Sequence, residues 1–107
     1  MYARQISMNL KPNSTAGFTQ TLETQVIPLL RKQKGFKDEI TFVNPTGKDV
    51  VAVSLWDNKD SAEAYGRDSY KEVNKLLADV VEGTPQLRTF EIANSTFHKI
   101  AAASVAA

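Results

Sequence analysis

Val50-Val51-Ala52-Val53-Ser54-Leu55-Trp56 is an almost continuously apolar run bounded by turn-forming residues on one side and helix-capping residues on the other. Seven residues of this kind read as a central strand with both faces covered, and the rest of the chain must supply the cover. The run is the second half of a hairpin: residues 37–44 and 49–56 read as two strands joined by Asn44-Pro45-Thr46-Gly47, whose Pro and Gly suit a tight turn.

Upstream, residues 2–10 alternate, with Ile6, Met8 and Leu10 on one side and Gln5, Ser7 and Asn9 on the other, the period-two pattern of a strand. Lys11-Pro12-Asn13 breaks it. Ser14 or Thr15 offers a cap to a helix whose apolar positions Phe18, Leu22, Val26, Leu29 and Leu30 run to about residue 33, where Gly35 stops it. Pro28 lies inside this helix and is expected to kink it or end it early. Downstream, Asp57 or Asn58 caps a second helical region. Gly66 and Asp68-Ser69 are expected to interrupt it before an amphipathic stretch on Tyr70, Val73, Leu76, Leu77 and Val80. Gly83-Thr84-Pro85 is expected to end that helix, and residues 86–97 read as the last strand.

The order βαββαβ predicts an α+β, ferredoxin-like fold: an antiparallel sheet with strands one and three central and both helices on one face. The helix side is expected to carry Ile6, Met8, Val51, Val53 and Leu55. By parity the open face then carries Gln5, Ser7, Asn9, Ser54 and Trp56, with Thr89 and Glu91 if the last strand keeps that register. An open face bearing Trp56 and Ala52 implies a two-fold homodimer closing face to face.

At 107 residues and 42% hydrophobic content the chain is expected to form one domain over residues 1–100, followed by an alanine-rich tail at 101–107. A net charge of +1 with both signs scattered gives no footprint for nucleic acid or an anionic membrane. No segment is apolar enough to span a bilayer, and no signal-peptide core follows Met1, so a cytoplasmic location is expected. Without cysteine there is no disulfide, thiol nucleophile or zinc–thiolate site, and the single histidine, His98, cannot build a metal site alone.

Gly35-Phe36 at the end of the first helix, Ser54-Leu55-Trp56-Asp57 at the end of the third strand, and Ala62, Ala64 and Tyr65 in the helix that follows resemble the antibiotic-biosynthesis-monooxygenase-like family of small dimeric α+β barrels. The resemblance spans about residues 2–97. It implies a ligand cavity between sheet and helices, and an activity drawn from cofactor-free oxygenation of phenols or quinols, haem degradation or isomerisation. Haem degraders of the family pair an Asn on the first strand and a Trp ending the third with a His on the next helix. Asn9 and Trp56 match in kind, but residues 57–82 contain no His, which argues against haem.

The resemblance therefore implies a cofactor-independent monooxygenase acting on an aromatic or quinol-like small molecule, with no cofactor and no metal. In that reading Trp56 stacks on the substrate, Asn9 binds its oxygen, Tyr65 donates to it and Glu91 acts as base, its pKa raised by desolvation. Each residue has a plainer alternative: packing for Trp56 and Tyr65, a turn for Asn9, and solvent or pairing with Arg4 or Arg88 for Glu91. The rival function is a non-catalytic small-molecule-binding or interaction dimer of the same fold.

Overall fold

β1 (Tyr2–Leu10) and β3 (Asp49–Trp56) form the centre of a four-stranded antiparallel sheet of order β2-β3-β1-β4, with β2 at Phe36–Val43 and β4 at Val81–Glu91. The computed structural model describes residues 1–98, so the tail at 101–107 lies outside the described residues. The helices α1 (Thr15–Thr21), α2 (Ile27–Arg31), α3 (Lys59–Asp68) and α4 (Tyr70–Leu77) bring Phe18, Leu22, Val26, Leu30, Tyr65, Val73 and Leu77 into one core with Ile6, Met8, Leu10, Val50 and Trp56. This is the ferredoxin-like α+β arrangement that the element order predicts, with helices on one face.

The first helical region runs to Arg31 in spite of Pro28. Between α1 and α2, residues Leu22–Val26 form a π-helical turn in which the Ile27 amide donates to the Leu22 carbonyl five residues back. Pro28 has no N–H to offer, and a widened turn just before it keeps the rod continuous while giving up one α-type bond. In the second region Asn58 caps α3 by accepting from the Ser61 amide at 2.9 Å. The interruption falls at Ser69 rather than at Gly66, which lies inside α3.

Gly35 has φ of 83°, and a side chain there would meet Asp57 Oδ1 at 2.3 Å and Ser61 Oγ at 2.4 Å. Its carbonyl accepts from the Asp57 amide at 2.8 Å, so the entry to β2 is pinned against the exit of β3. Only glycine meets both demands, the left-handed backbone and the close approach.

Two expectations are corrected. The Gly83-Thr84-Pro85 segment is not a loop between helix and strand. It lies within β4, where the pairing with β1 shifts between Ser7↔Gln86 and Asn9↔Glu82. β4 is an edge strand, where an irregularity containing Pro leaves no central ladder bond unmade.

The facing of β3 is also reversed. Tyr2 pairs with Trp56, Arg4 with Ser54, Ile6 with Ala52 and Met8 with Val50. Opposed residues share a face, so Ala52, Ser54 and Trp56 lie under the helices, and Val51, Val53 and Leu55 turn to the open side. Glu91 pairs with Tyr2 and Thr89 with Arg4, which puts both on the helix-side parity, while Arg88 pairs with Gln5 on the open face. The run from Val50 to Trp56 is apolar at both parities and carries no period-two signal. Packing decides instead: Trp56, the largest side chain of the run, is fully buried against the helices.

The open face is apolar even so. Ile40 and Phe42 of β2 oppose Val53 and Val51 and are both about half exposed, and Phe90 of β4, opposite Ala3, is exposed to a lesser degree. Beyond β4 the chain continues past Ile92, whose amide donates to the Met1 carbonyl, and His98 Nε2 comes within 3.4 Å of Asp38 Oδ2 on β2.

Candidate functional site

Between the helix-side face of the sheet and the helices lies a cavity of about 250 Å³. Its walls are largely the core side chains Ile6, Met8, Phe18, Leu22, Val26, Leu30, Val73 and Leu77. Polar groups gather at the end nearest Trp56: Arg4 from β1, Ser54 from β3, Glu39 from β2, Tyr65 from α3, and Tyr70 and Asn74 from α4. The strand pairings set Arg4, Ser54 and Glu39 in one row across the sheet. Arg4 and Glu39 are therefore two strand spacings apart, roughly 9–10 Å at the backbone.

Arg4 is the only charged residue among the buried described residues, at 5% exposure. Its guanidinium lies 5.2 Å from the Tyr65 ring centre and 5.0 Å from that of Tyr70. It reaches this position past Gly66, where a Cβ would stand 2.5 Å from Arg4 Nη1. Nη2 has no hydrogen-bond partner among the described residues. Each of the two ring contacts returns about 2 kcal/mol or more once desolvated, but neither gives Nη2 an acceptor. Taking an ion out of water costs several kcal/mol, so the pocket leaves this cation under-compensated. The burial lowers the Arg4 pKa, partly offset by the two tyrosines.

The neighbouring acids are shifted the other way. Burial raises the Glu39 carboxyl above its ordinary value, against the hydrogen bond it accepts from Thr41 Oγ1 and with Asp38 adding to the rise. Burial also raises Tyr65 and Tyr70, with Arg4 opposing the shift in each. Both phenols are thus neutral donors at physiological pH, and neither balances Arg4.

Trp56 lies behind this site rather than in it. It is fully buried, stacks on Tyr65 with ring centres 4.9 Å apart and planes at 27°, and meets Phe36 edge-on at 5.6 Å. Its indole N–H donates to Ser54 Oγ at 2.9 Å, which fixes the hydroxyl that lines the cavity. Of the four residues expected from the sequence, the structure brings Trp56 and Tyr65 together, with Tyr65 presenting the cavity surface. Asn9 is exposed on the open face near the far end of β1, opposite Asp49 and Glu82. Glu91 is exposed on the edge strand, and neither it nor Asn9 lines the cavity.

Arg4, Glu39 and Tyr70 are the cavity residues that the sequence reading did not single out. One signal was present for Arg4: it has the parity of Ile6 and Met8, so a cation stands on the strand's apolar face. Among the described residues there is no group of three or more His, Cys, Asp or Glu able to hold a metal, and no helix long and apolar enough to cross a membrane.

No protein-family profile matches the chain, and no curated protein matches it. Solved structures do. A monooxygenase from the gene ActVA-Orf6 of Streptomyces coelicolor, in complex with nanaomycin D, superposes with a TM-score of 0.74 at 15% identity, covering 88% of each chain. A candidate antibiotic biosynthesis monooxygenase from Bordetella bronchiseptica gives 0.72 at 20% identity over 85% of this chain and 96% of its own. SnoaB, a cofactor-independent oxygenase from Streptomyces nogalater, gives 0.71 at 12% identity over 89% and 95%. At such identities the likeness speaks for the fold. The chain has the α+β fold of the antibiotic biosynthesis monooxygenase-like proteins.

Proposed function

We propose that the protein binds an aromatic or quinol-like small molecule in the cavity between sheet and helices and oxygenates it with dioxygen, without a cofactor. The observation that carries this reading is the cavity itself: walled mostly by apolar core side chains and furnished at one end with a carboxyl whose pKa burial raises. At about 250 Å³ it lies below the roughly 300–1,000 Å³ typical of sites for drug-sized ligands, which suits one or two fused rings.

In this scheme Glu39 takes a proton from the acidic O–H or ring C–H of the substrate, a role that a raised pKa favours. The resulting anion transfers an electron to dioxygen, and the two radicals join in a C–O bond. The peroxide takes a proton and loses water, so that a ring CH₂ and O₂ become C=O and H₂O. Tyr65 and Tyr70, kept protonated, donate to the developing oxyanion, and the apolar walls keep water from the intermediates. Trp56 acts through Tyr65 by holding its ring in place. Asn9 and Glu91 contribute to this chemistry only if the assembly brings them to a second copy's cavity.

The apolar open face supports a homodimer closed sheet to sheet, as in the dimeric barrels that the sequence resembles. Two of the solved structures with this fold are described as oxygenases, which favours this chemistry over others available to the same cavity.

The test is oxygen uptake by metal- and flavin-free protein given hydroquinones, anthrones and catechols. Uptake above the no-protein rate, reduced by about 10²-fold or more in Glu39→Gln, supports the reading. Ring binding, read by Trp56 fluorescence, with no uptake from any substrate that binds, overturns oxygenation and favours a non-catalytic binding dimer.

A further inference from the structure

Resting on the reading of the cavity as an aromatic site, we propose that Arg4 is its anion-recognition group and that the ligands it takes are aromatic acids, one or two fused rings bearing a carboxylate. The guanidinium is buried, Nη2 has no partner among the described residues, and no carboxylate of the described residues forms an ion pair with Arg4. Glu39, the one acid lining the same cavity, stands two strands away. Among the described residues the pocket therefore lacks one negative charge, which the acid group of a bound molecule supplies. A guanidinium presents a planar fork of donors, the match for a carboxylate's two oxygens.

The surroundings fix how such a ligand lies. Tyr65 and Tyr70 hold the guanidinium by ring contacts, their centres 5.2 and 5.0 Å from Cζ, and leave Nη2 without an acceptor among the described residues. Ser54, aligned between Arg4 and Glu39, accepts from Trp56 and retains its own proton to donate to the ligand. The ring then extends from the Arg4 end along the apolar floor of Ile6 and Met8. Such a pose anchors the acid group and leaves the ring to the proton-accepting side chain. In Tyr65 and Tyr70 the site also has donors that stay neutral, so the anion meets no opposing charge from them.

Gly66 provides an independent handle. It lies within α3, and an alanine there puts a methyl group 2.5 Å from Arg4 Nη1 and 3.2 Å from Cζ. The helix tolerates alanine well, so the guanidinium is the part that moves.

The experiment is a fluorescence titration, with Trp56 as the single tryptophan, using 2-naphthoate and its neutral isostere methyl 2-naphthoate. The wild type is expected to bind the acid about 10-fold or more tightly than the ester, the usual scale for a hydrogen-bonded charge. Arg4→Met and Gly66→Ala are expected to reduce that preference to about 2-fold or less while leaving ester affinity within about 3-fold. Equal binding of acid and ester by the wild type overturns the proposal and leaves the aromatic site standing. A preference that persists in both variants overturns it too, because the anion is then held elsewhere. Binding of neither probe removes the aromatic site and the proposal together. The wild-type comparison decides without any variant, and Gly66→Ala decides if Arg4→Met does not fold.

Discussion

Glu39 and Arg4 occupy the same row across the sheet with opposite electrostatic consequences, and Glu39 is the one whose cost depends on pH. Its pKa is raised in the folded state, so the native protein binds a proton that the unfolded chain has already released. Stability from this group is therefore greatest below the unfolded carboxylate pKa and falls as pH rises toward and through the raised folded value. Glu39→Gln is expected to stabilise the protein at pH 7–8 and to lose that advantage near pH 4, as read by urea unfolding at the two pH values. The same substitution is expected to slow turnover, so stability and activity move in opposite directions. Trp56 behaves as a packing residue that serves the site at second hand. Trp56→Ala leaves a hole behind Tyr65 and is expected to cost about 3–5 kcal/mol in urea unfolding, with Trp56→Phe costing much less. Ligand affinity in Trp56→Phe is expected to fall only modestly, because Tyr65 and not the indole lines the cavity.

The elements owe their limits to a few residues that permit only one backbone. Asn44-Pro45-Thr46-Gly47 makes a hydrogen-bonded turn, the Gly47 amide donating to the Asn44 carbonyl at 2.7 Å with φ of 77° at Gly47. That hairpin was legible because its residues state their angles in the sequence. Gly35 was legible as a helix stop, but its second task, admitting Asp57 and Ser61, depends on residues more than twenty positions away. Gly35→Ala is expected to destabilise by about 1–3 kcal/mol in chemical denaturation, from the positive φ and the contact together. Pro28 was legible as a disturbance, whereas the form of the repair, a π-helical turn over Leu22–Val26, was not. The widened turn sets Leu22 and Val26 against the cavity, so a local backbone constraint contributes to the site's shape. Gly83-Thr84-Pro85 was misread as a terminator because the same residues suit a loop or an irregular edge strand, and only pairing with Ser7 and Asn9 distinguishes the two.

At the scale of the whole molecule, the sheet has one face covered by helices and one lined by Ile40, Phe42, Val51, Val53, Leu55 and Phe90, on which Ile40 and Phe42 stay about half exposed. If this face closes on a second copy, the protein is expected to run at about twice 11.8 kDa in light scattering. Ile40→Asp with Phe42→Asp is expected to give monomers that still bind ring ligands, because both residues point away from the cavity. The order of elements, the central place of β1 and β3, and the hairpin between β2 and β3 were determined by the sequence alone, since period, turn chemistry and caps are local properties. The facing of β3 was not. Its residues are apolar on both parities, and which side meets the helices depends on where Trp56 finds Tyr65 and Phe36, a matter of three-dimensional packing. That one choice decided the site as well. It placed Ser54 and Trp56 with Arg4 under the helices and left Asn9 outside, because a one-residue change of parity moves every side chain of a strand to the other face.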